Sequence, residues 1–106
     1  MKQVYELHAD ICKTLANPKR IEIINLLRSG EKSVAWLLQK TDLLKANLSQ
    51  HLSVMRQRGI VKARKEGLEV FYRIANPKII KACDLMREVL FEQMKENGEV
   101  FKKWKT

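Results

Sequence analysis

The spacing of apolar residues changes twice along this chain, and this change limits the possible folds more than any other feature. Before Gly59 and after Asn76, apolar side chains recur every three or four residues, as in α-helices with one buried face. Between them, apolar and polar residues alternate, as in half-buried β-strands. The alternating apolar residues are Val61, Ala63, Val70, Tyr72 and Ile74. The sequence therefore predicts a mainly α-helical fold with one small β-hairpin, joined through Glu66-Gly67.

Start and stop signals divide the rest of the chain into five helices. Asn17-Pro18 and Asn76-Pro77 each offer a capping side chain followed by a proline that can begin a helix, and Ser33 offers a third cap. The predicted helices cover about residues 4–15, 18–29, 33–41, 45–58 and 77–97. The 106 residues are enough for one domain with a modest core, so residues 1–106 are predicted to form a single domain.

Positive charge is concentrated in one part of the chain. The formal net charge is +9, with 21 Lys and Arg against 12 Asp and Glu. Residues 43–76 hold seven basic residues against two glutamates. A generally solvated surface would spread these charges, whereas a nucleic-acid-binding segment concentrates them. We therefore expect the fourth helix and the hairpin to bind a polyanion.

The third and fourth helices together predict a helix-turn-helix, in which the second helix enters the major groove of double-stranded DNA. Asn47 and Gln50 can pair with adenine, Ser49 can bond to either base type, and Lys45 can reach guanine or phosphate. Cations close to the hairpin turn can contact phosphates or a narrow minor groove. The predicted DNA-contacting residues are Lys45, Asn47, Ser49, Gln50, Arg56, Lys62, Arg64 and Lys65.

Three stretches of the chain resemble the ArsR/SmtB family of bacterial and archaeal winged-helix repressors. They are LANPKRIEIINLL, LSQHLSVMRQRGIVKARKEGLEVFYRI and NPKIIKACDLM, and together they cover nearly the whole chain. The resemblance implies a winged helix-turn-helix that dimerises through its first and last helices, binds an imperfect palindromic operator and leaves it when an inducer binds. It also implies base contacts by Ser49 and Gln50 and wing contacts by Arg64 and Lys65.

Other observations refine what this resemblance implies. Leu44 stands where many members have a capping serine, so the fourth helix is expected to begin without a side-chain cap. His51 matches a family histidine, and we interpret it as structural or phosphate-facing rather than catalytic. The first and last helices carry more apolar surface than this small core can cover, which independently supports a homodimer.

The metal sites of the family are absent from this sequence. Ser33 and Ala35 replace the Cys-x-Cys of metal-sensing members. The two histidines, His8 and His51, both lie outside the last helix, where other members bind zinc. No metal and no cofactor are therefore expected.

Two cysteines, Cys12 and Cys83, lie on the first and last predicted helices. One interpretation is a switch in which oxidation or persulfidation of the thiols releases the operator. The other is that both thiols fill an apolar face, as free cysteines commonly do. Apart from this thiol hypothesis, the sequence does not identify the inducer.

Other classes of function have less support. No apolar run reaches the length of a membrane span, and the N-terminus lacks the apolar centre of a signal peptide, so a cytoplasmic protein without a membrane partner is expected. Ser49 and His51 have no positioned acid partner, so an enzyme is not expected. The alternative to a DNA-reading repressor is a winged-helix protein-interaction module that does not read DNA sequence.

Overall fold

The computed structural model describes residues 1–98 and confirms the five helices and the hairpin. The helices are α1 (Lys2–Leu15), α2 (Pro18–Leu26), α3 (Val34–Thr41), α4 (Lys45–Gln57) and α5 (Lys78–Glu96). The strands are β1 (Lys32–Ser33), β2 (Val61–Glu66) and β3 (Glu69–Ile74). We call β2, β3 and the turn between them the wing. We call α4 the reading helix, after the role that the sequence predicts for it.

The starts of α2 and α3 have the side-chain caps expected from the sequence. The Asn17 side chain accepts hydrogen bonds from the backbone N–H groups of Lys19 and Arg20 at 3.0 and 3.1 Å, and the Ser33 hydroxyl accepts one from Trp36 at 3.0 Å. The reading helix begins after Leu44 without a side-chain cap, as expected. These caps satisfy N–H groups that the first turn of a helix leaves unpaired.

Two predicted helix boundaries differ from the structure. The second helix was expected to continue to Ser29, but its last turn, Leu27–Ser29, tightens into a 3-10 helix before Gly30. Pro77 precedes α5 rather than opening it, while Asn76 still accepts a hydrogen bond from the backbone N–H of Lys78. Both differences are shifts of a helix end that leave the number and order of helices unchanged.

The hairpin belongs to a three-stranded antiparallel sheet, and the third strand, β1, was not predicted. The strand order is β1-β3-β2, with Lys32 opposite Tyr72 and Ser33 opposite Phe71. A strand of two residues is too short to show an alternating pattern. Because Ser33 both ends β1 and caps α3, the sheet is joined directly to the start of the helix-turn-helix.

The core lies between α2, α3, the reading helix and the inner face of the wing. Its fully or almost fully buried residues are Ile23, Ile24, Leu27, Leu37, Leu48, Leu52, Met55, Ile60, Val61 and Tyr72. The described part of α5 has no buried residue, and in α1 only Thr14 is buried. The first and last helices therefore lie at the edge of the core, where Leu15 of α1 and Ile79, Ile80 and Cys83 of α5 pack against it.

An exposed apolar surface covers much of α1 and α5. The large apolar residues exposed on these two helices are Val4, Tyr5, Leu7, Ile11, Leu85, Met86, Val89 and Leu90. A concentration of exposed apolar residues on two helices is typical of an interaction site. None of the helices within residues 1–98 combines the length and the hydrophobicity that a membrane crossing requires.

Candidate nucleic-acid interface

The reading helix separates its residues sharply between two faces. Leu48, Leu52 and Met55 are at most 1% exposed and hold the helix against the core. The exposed side includes all five polar residues expected from the sequence: Lys45, Asn47, Ser49, Gln50 and Arg56. Within residues 1–98, none of the five side chains forms a hydrogen bond or an ion pair, so all of them are available to a partner.

The turn between α3 and the reading helix is fixed by two hydrogen bonds and by one residue in the left-handed conformation. Thr41 is buried, and its hydroxyl donates to the Leu37 carbonyl at 2.8 Å. The Lys19 ammonium donates to the Thr41 carbonyl at 3.1 Å, which places a positive charge at the negative end of α3. Asp42 then adopts the left-handed conformation, with φ of 55°, that Asp tolerates better than most residues. The turn therefore holds the two helices of the motif in a defined relation.

Arg20 fixes the position of the reading helix from its inner side. Its Nε donates to Nδ1 of His51 at 3.0 Å, and one of its terminal nitrogens donates to the Thr14 carbonyl at 3.2 Å. Burial, and secondarily the positive charge of Arg20, lowers the pKa of His51. His51 is therefore a neutral hydrogen-bond acceptor that joins the reading helix to α2 and the end of α1. This role of Arg20 was not predicted from the sequence. The one feature that could have indicated it is that Arg20 lies in the first of the three stretches that resemble the family.

The wing places its cations on two different faces, although they were expected to act as one group. Lys65 lies opposite Val70, in the row of residues that faces the core, whereas Lys62 and Arg64 point to the outer face. Arg73, which was not predicted as a contact, lies directly opposite Lys62 and is also exposed. Only Lys65 among the predicted wing cations therefore projects from the side that packs on the helices.

Arg64 is engaged by carboxylates, unlike the polar residues of the reading helix. Its guanidinium contacts Glu31 at 2.7 to 2.9 Å and Glu66 at 2.7 Å. The same group lies over the Phe71 ring, 4.6 Å from the ring centroid. The hydrogen bonds to Glu31 and Glu66 raise the pKa of Arg64, and the bond to Arg64 lowers the pKa of Glu31.

The tip of the wing is not cationic. The turn consists of Gly67, with φ of 62°, and a fully exposed Leu68. Glu66 and Glu69 face each other on either side of the turn. The lysines and arginine predicted close to the tip lie behind these two glutamates, because β2 extends as far as Glu66.

A cleft of about 450 Å³ separates the wing from the helix-turn-helix. Its helical side is lined by Val34 and Leu38 of α3 and by Lys45 and Ser49 of the reading helix, and its other side by residues 68–70 and 72. The wing and the exposed face of the reading helix therefore border a common concave surface.

The two cysteines have different surroundings. Cys12 is exposed on α1, and Cys83 is half-buried on α5, where it packs against the core. Burial raises the pKa of the Cys83 thiol, which disfavours the reactive thiolate. In the part of the chain that the structure describes, no three His, Cys, Asp or Glu side chains are grouped as metal ligands.

Comparison with known proteins places these features in a family. The family model described as bacterial regulatory protein, arsR family, matches residues 17–63. The chain is 43% identical over 88 residues, 82% of this chain and 77% of the relative, to the HTH-type transcriptional regulator Rv0081 of Mycobacterium tuberculosis. It is 40% identical over 78 residues to a biofilm growth-associated repressor of Agrobacterium fabrum, covering 74% of this chain and 67% of that one.

Solved structures of related regulators have the same fold. The crystal structure of Rv0081 aligns with a TM-score of 0.81 at 40% identity, over 89% of this chain and 95% of that one. A homodimeric winged helix-turn-helix DNA-binding domain from Mycobacterium bovis, Mb0332, aligns with a TM-score of 0.80 at 29% identity, over 90% of this chain and 88% of that one. The winged helix-turn-helix expected from the sequence is thereby confirmed.

Proposed function

The chain belongs to the arsR family of bacterial regulatory proteins, and we propose that it is a homodimeric repressor that binds a specific double-stranded operator through its reading helix. The observation that carries the proposal is the set of five exposed, unpaired polar residues on α4, whose opposite face is buried. A helix held rigidly on one side and free on the other can enter the major groove without rearranging the core.

Some side chains of the reading helix contact base edges in this proposal, and others contact phosphates. Asn47, Ser49 and Gln50 lie in its first half, where a recognition helix meets base edges, and their amide and hydroxyl groups both donate and accept hydrogen bonds. Lys45 and Arg56 carry unpaired positive charges towards either end of the helix, where phosphates flank the groove. The lysines of the wing, Lys62 and Lys65, supply further contacts to phosphate and hence affinity for any sequence.

A second copy of the chain covers the exposed apolar surface of α1 and α5 in this proposal. The homodimeric state of the related Mb0332 domain supports it, as does the absence of buried residues in the described part of α5. A dimer with two-fold symmetry presents two reading helices, so the operator is an imperfect palindrome with half-sites about one helical turn apart.

Release of the operator by an inducer completes the proposal, with thiol chemistry as the mechanism to be tested first. Cys12 is exposed on α1 of the single protomer, whereas the raised pKa of Cys83 counts against its participation. Operator affinity is measured under reductant and then under peroxide or a persulfide donor, for the native protein and for Cys12→Ser and Cys83→Ser. Affinity that is the same in every case eliminates the thiol switch and leaves another ligand as the inducer.

The test of sequence reading begins with selection of bound duplexes from a randomised library. We expect a palindromic sequence to be enriched. Gln50→Ala then lowers the preference for this sequence over random DNA by about 1–3 kcal/mol for each base pair that Gln50 reads. Gln57→Ala is the matched control, because Gln57 is an exposed glutamine at the other end of the same helix.

A protein-interaction module that does not read DNA sequence is the alternative to this proposal. It predicts that selection enriches no sequence and that all duplexes bind weakly with a steep dependence on salt. An equal loss of affinity for selected and random DNA in Gln50→Ala also contradicts base reading by this residue.

A further inference from the structure

Arg64 joins both strands of the wing to the residue that precedes β1, in a cluster that we call the Arg64 clasp. It consists of Glu31, Arg64, Glu66 and Phe71. Arg64 lies on the edge strand β2, the Phe71 ring beneath it belongs to the central strand β3, and Glu31 directly precedes β1. The side chain therefore joins the free edge of the wing to the segment that leads into α3.

The contacts within the clasp are those of a side chain held in one orientation. The Arg64 Nε lies 2.9 Å from both oxygens of Glu31, and a terminal nitrogen lies 2.7 Å from one of them, while the other terminal nitrogen lies 2.7 Å from Glu66. An arginine that binds two carboxylates in this way uses the planar fork of its guanidinium and also stacks on an aromatic ring. Lysine cannot reproduce this combination of contacts.

The charge of Arg64 is also compensated locally. Glu31 and Glu66 together place two negative charges on one positive charge, and Glu69 lies opposite Glu66 across the turn. Removing Arg64 from Glu66 would leave two facing carboxylates, an arrangement that destabilises a strand pair. A DNA phosphate would have to displace both carboxylates to gain Arg64, whereas Lys62 and Lys65 have no such competitor among residues 1–98.

We propose that Arg64 is a positioning residue that fixes the wing relative to the helix-turn-helix, and that contact with phosphate falls to the neighbouring lysines, chiefly Lys65. This inference rests on the proposed DNA-binding function. It assigns to Arg64 a role different from the direct wing contact that the family resemblance implies. Since Ser33, which follows Glu31 by two residues, caps α3, the clasp ties the angle of the wing to the start of the helix-turn-helix.

The test compares Arg64→Gln with Lys65→Gln, an adjacent variant with the same change of charge, by measuring operator affinity over a range of salt concentrations. We expect Lys65→Gln to reduce the slope of log affinity against log salt by about 0.9 per protomer, the value for one phosphate contact. Arg64→Gln should weaken binding by up to about fivefold per protomer, because ion pairs at a protein surface contribute modestly. It should change the salt slope little, because in this proposal Arg64 contacts no phosphate.

Two further variants separate position from charge. Arg64→Lys keeps the positive charge but not the fork, so we expect it to bind operator as weakly as Arg64→Gln. The double variant Glu31→Gln with Arg64→Gln keeps the net charge of the native protein, and it too should bind more weakly with an unchanged salt slope. Amide hydrogen exchange in β2 and β3 should be faster in all three Arg64 variants, which reports the loosened wing directly.

The opposite results would overturn this role for Arg64. If Arg64→Gln lowers the salt slope as much as Lys65→Gln does, and Arg64→Lys restores affinity, Arg64 contacts phosphate and the proposal is wrong. If the native protein shows no preference for a selected operator, the proposed function fails. The exchange rates in β2 and β3 still report whether the clasp holds the wing.

Discussion

Replacing Leu7 by alanine is expected to weaken the proposed homodimer strongly while leaving the protomer folded. Leu7 lies on α1 with 64% of its surface exposed, so it contributes little to the core of one protomer. Complete burial of a leucine contributes about 1.5–3 kcal/mol, so covering the exposed part contributes about 1–2 kcal/mol per protomer. A two-fold interface contains the residue twice, so the variant loses about 2–4 kcal/mol, which corresponds to a roughly 30- to 700-fold weaker dimer.

Sedimentation equilibrium over a range of protein concentrations measures this change, with circular dichroism to verify that the helices remain. Leu68→Ala is the matched control, because Leu68 is a fully exposed leucine on the wing rather than on α1 or α5. An unchanged dissociation constant in Leu7→Ala, or an equal loss in both variants, would refute the assignment of the interface to this surface.

Three further predictions concern the elements that position the reading helix. The pKa of His51 is lowered from 6.5, so the unfolded chain takes up a proton before the folded one does as the pH falls below 6.5. The free energy of unfolding should therefore decrease below that pH and level off below the folded pKa. In urea titrations His51→Asn, which keeps an acceptor for Arg20 but does not titrate, should lose this part of the pH dependence; an unchanged dependence contradicts the assignment. Asn17→Ala removes the acceptor for two backbone N–H groups at the start of α2 and should lower the free energy of unfolding by about 1 kcal/mol; a change below about 0.3 kcal/mol would show that water replaces the cap. Leu48→Ala removes a fully buried side chain of the reading helix and should lower the free energy of unfolding by about 2–5 kcal/mol. A loss below about 1 kcal/mol would contradict the packing described for α4.

The features that could be predicted correctly from the sequence are those encoded by neighbouring residues. The buried and exposed faces of the reading helix follow from the spacing of Leu48, Leu52 and Met55. The start of α2 follows from Asn17 and Pro18, since capping depends on groups two or three residues away. Such patterns also indicated the correct number and order of helices.

The features that were missed depend on contacts between distant parts of the chain. Arg20 lies 31 residues before His51, and Glu31 lies 33 residues before Arg64, so no local pattern pairs them. The division of the wing cations was, however, present in the sequence. Because Val61 and Ala63 face the core, strand alternation already requires Arg64 to point outward and Lys65 inward.

The central claim, that the exposed face of the reading helix recognises DNA sequence, is tested most directly by one ratio. The affinity of the native protein for its selected operator is divided by its affinity for a scrambled duplex of the same length and composition, at one salt concentration near the physiological value. We predict a ratio of about 10³ or more, as for other specific DNA-binding proteins. A ratio near one would contradict this claim, because phosphate contacts alone bind both duplexes equally.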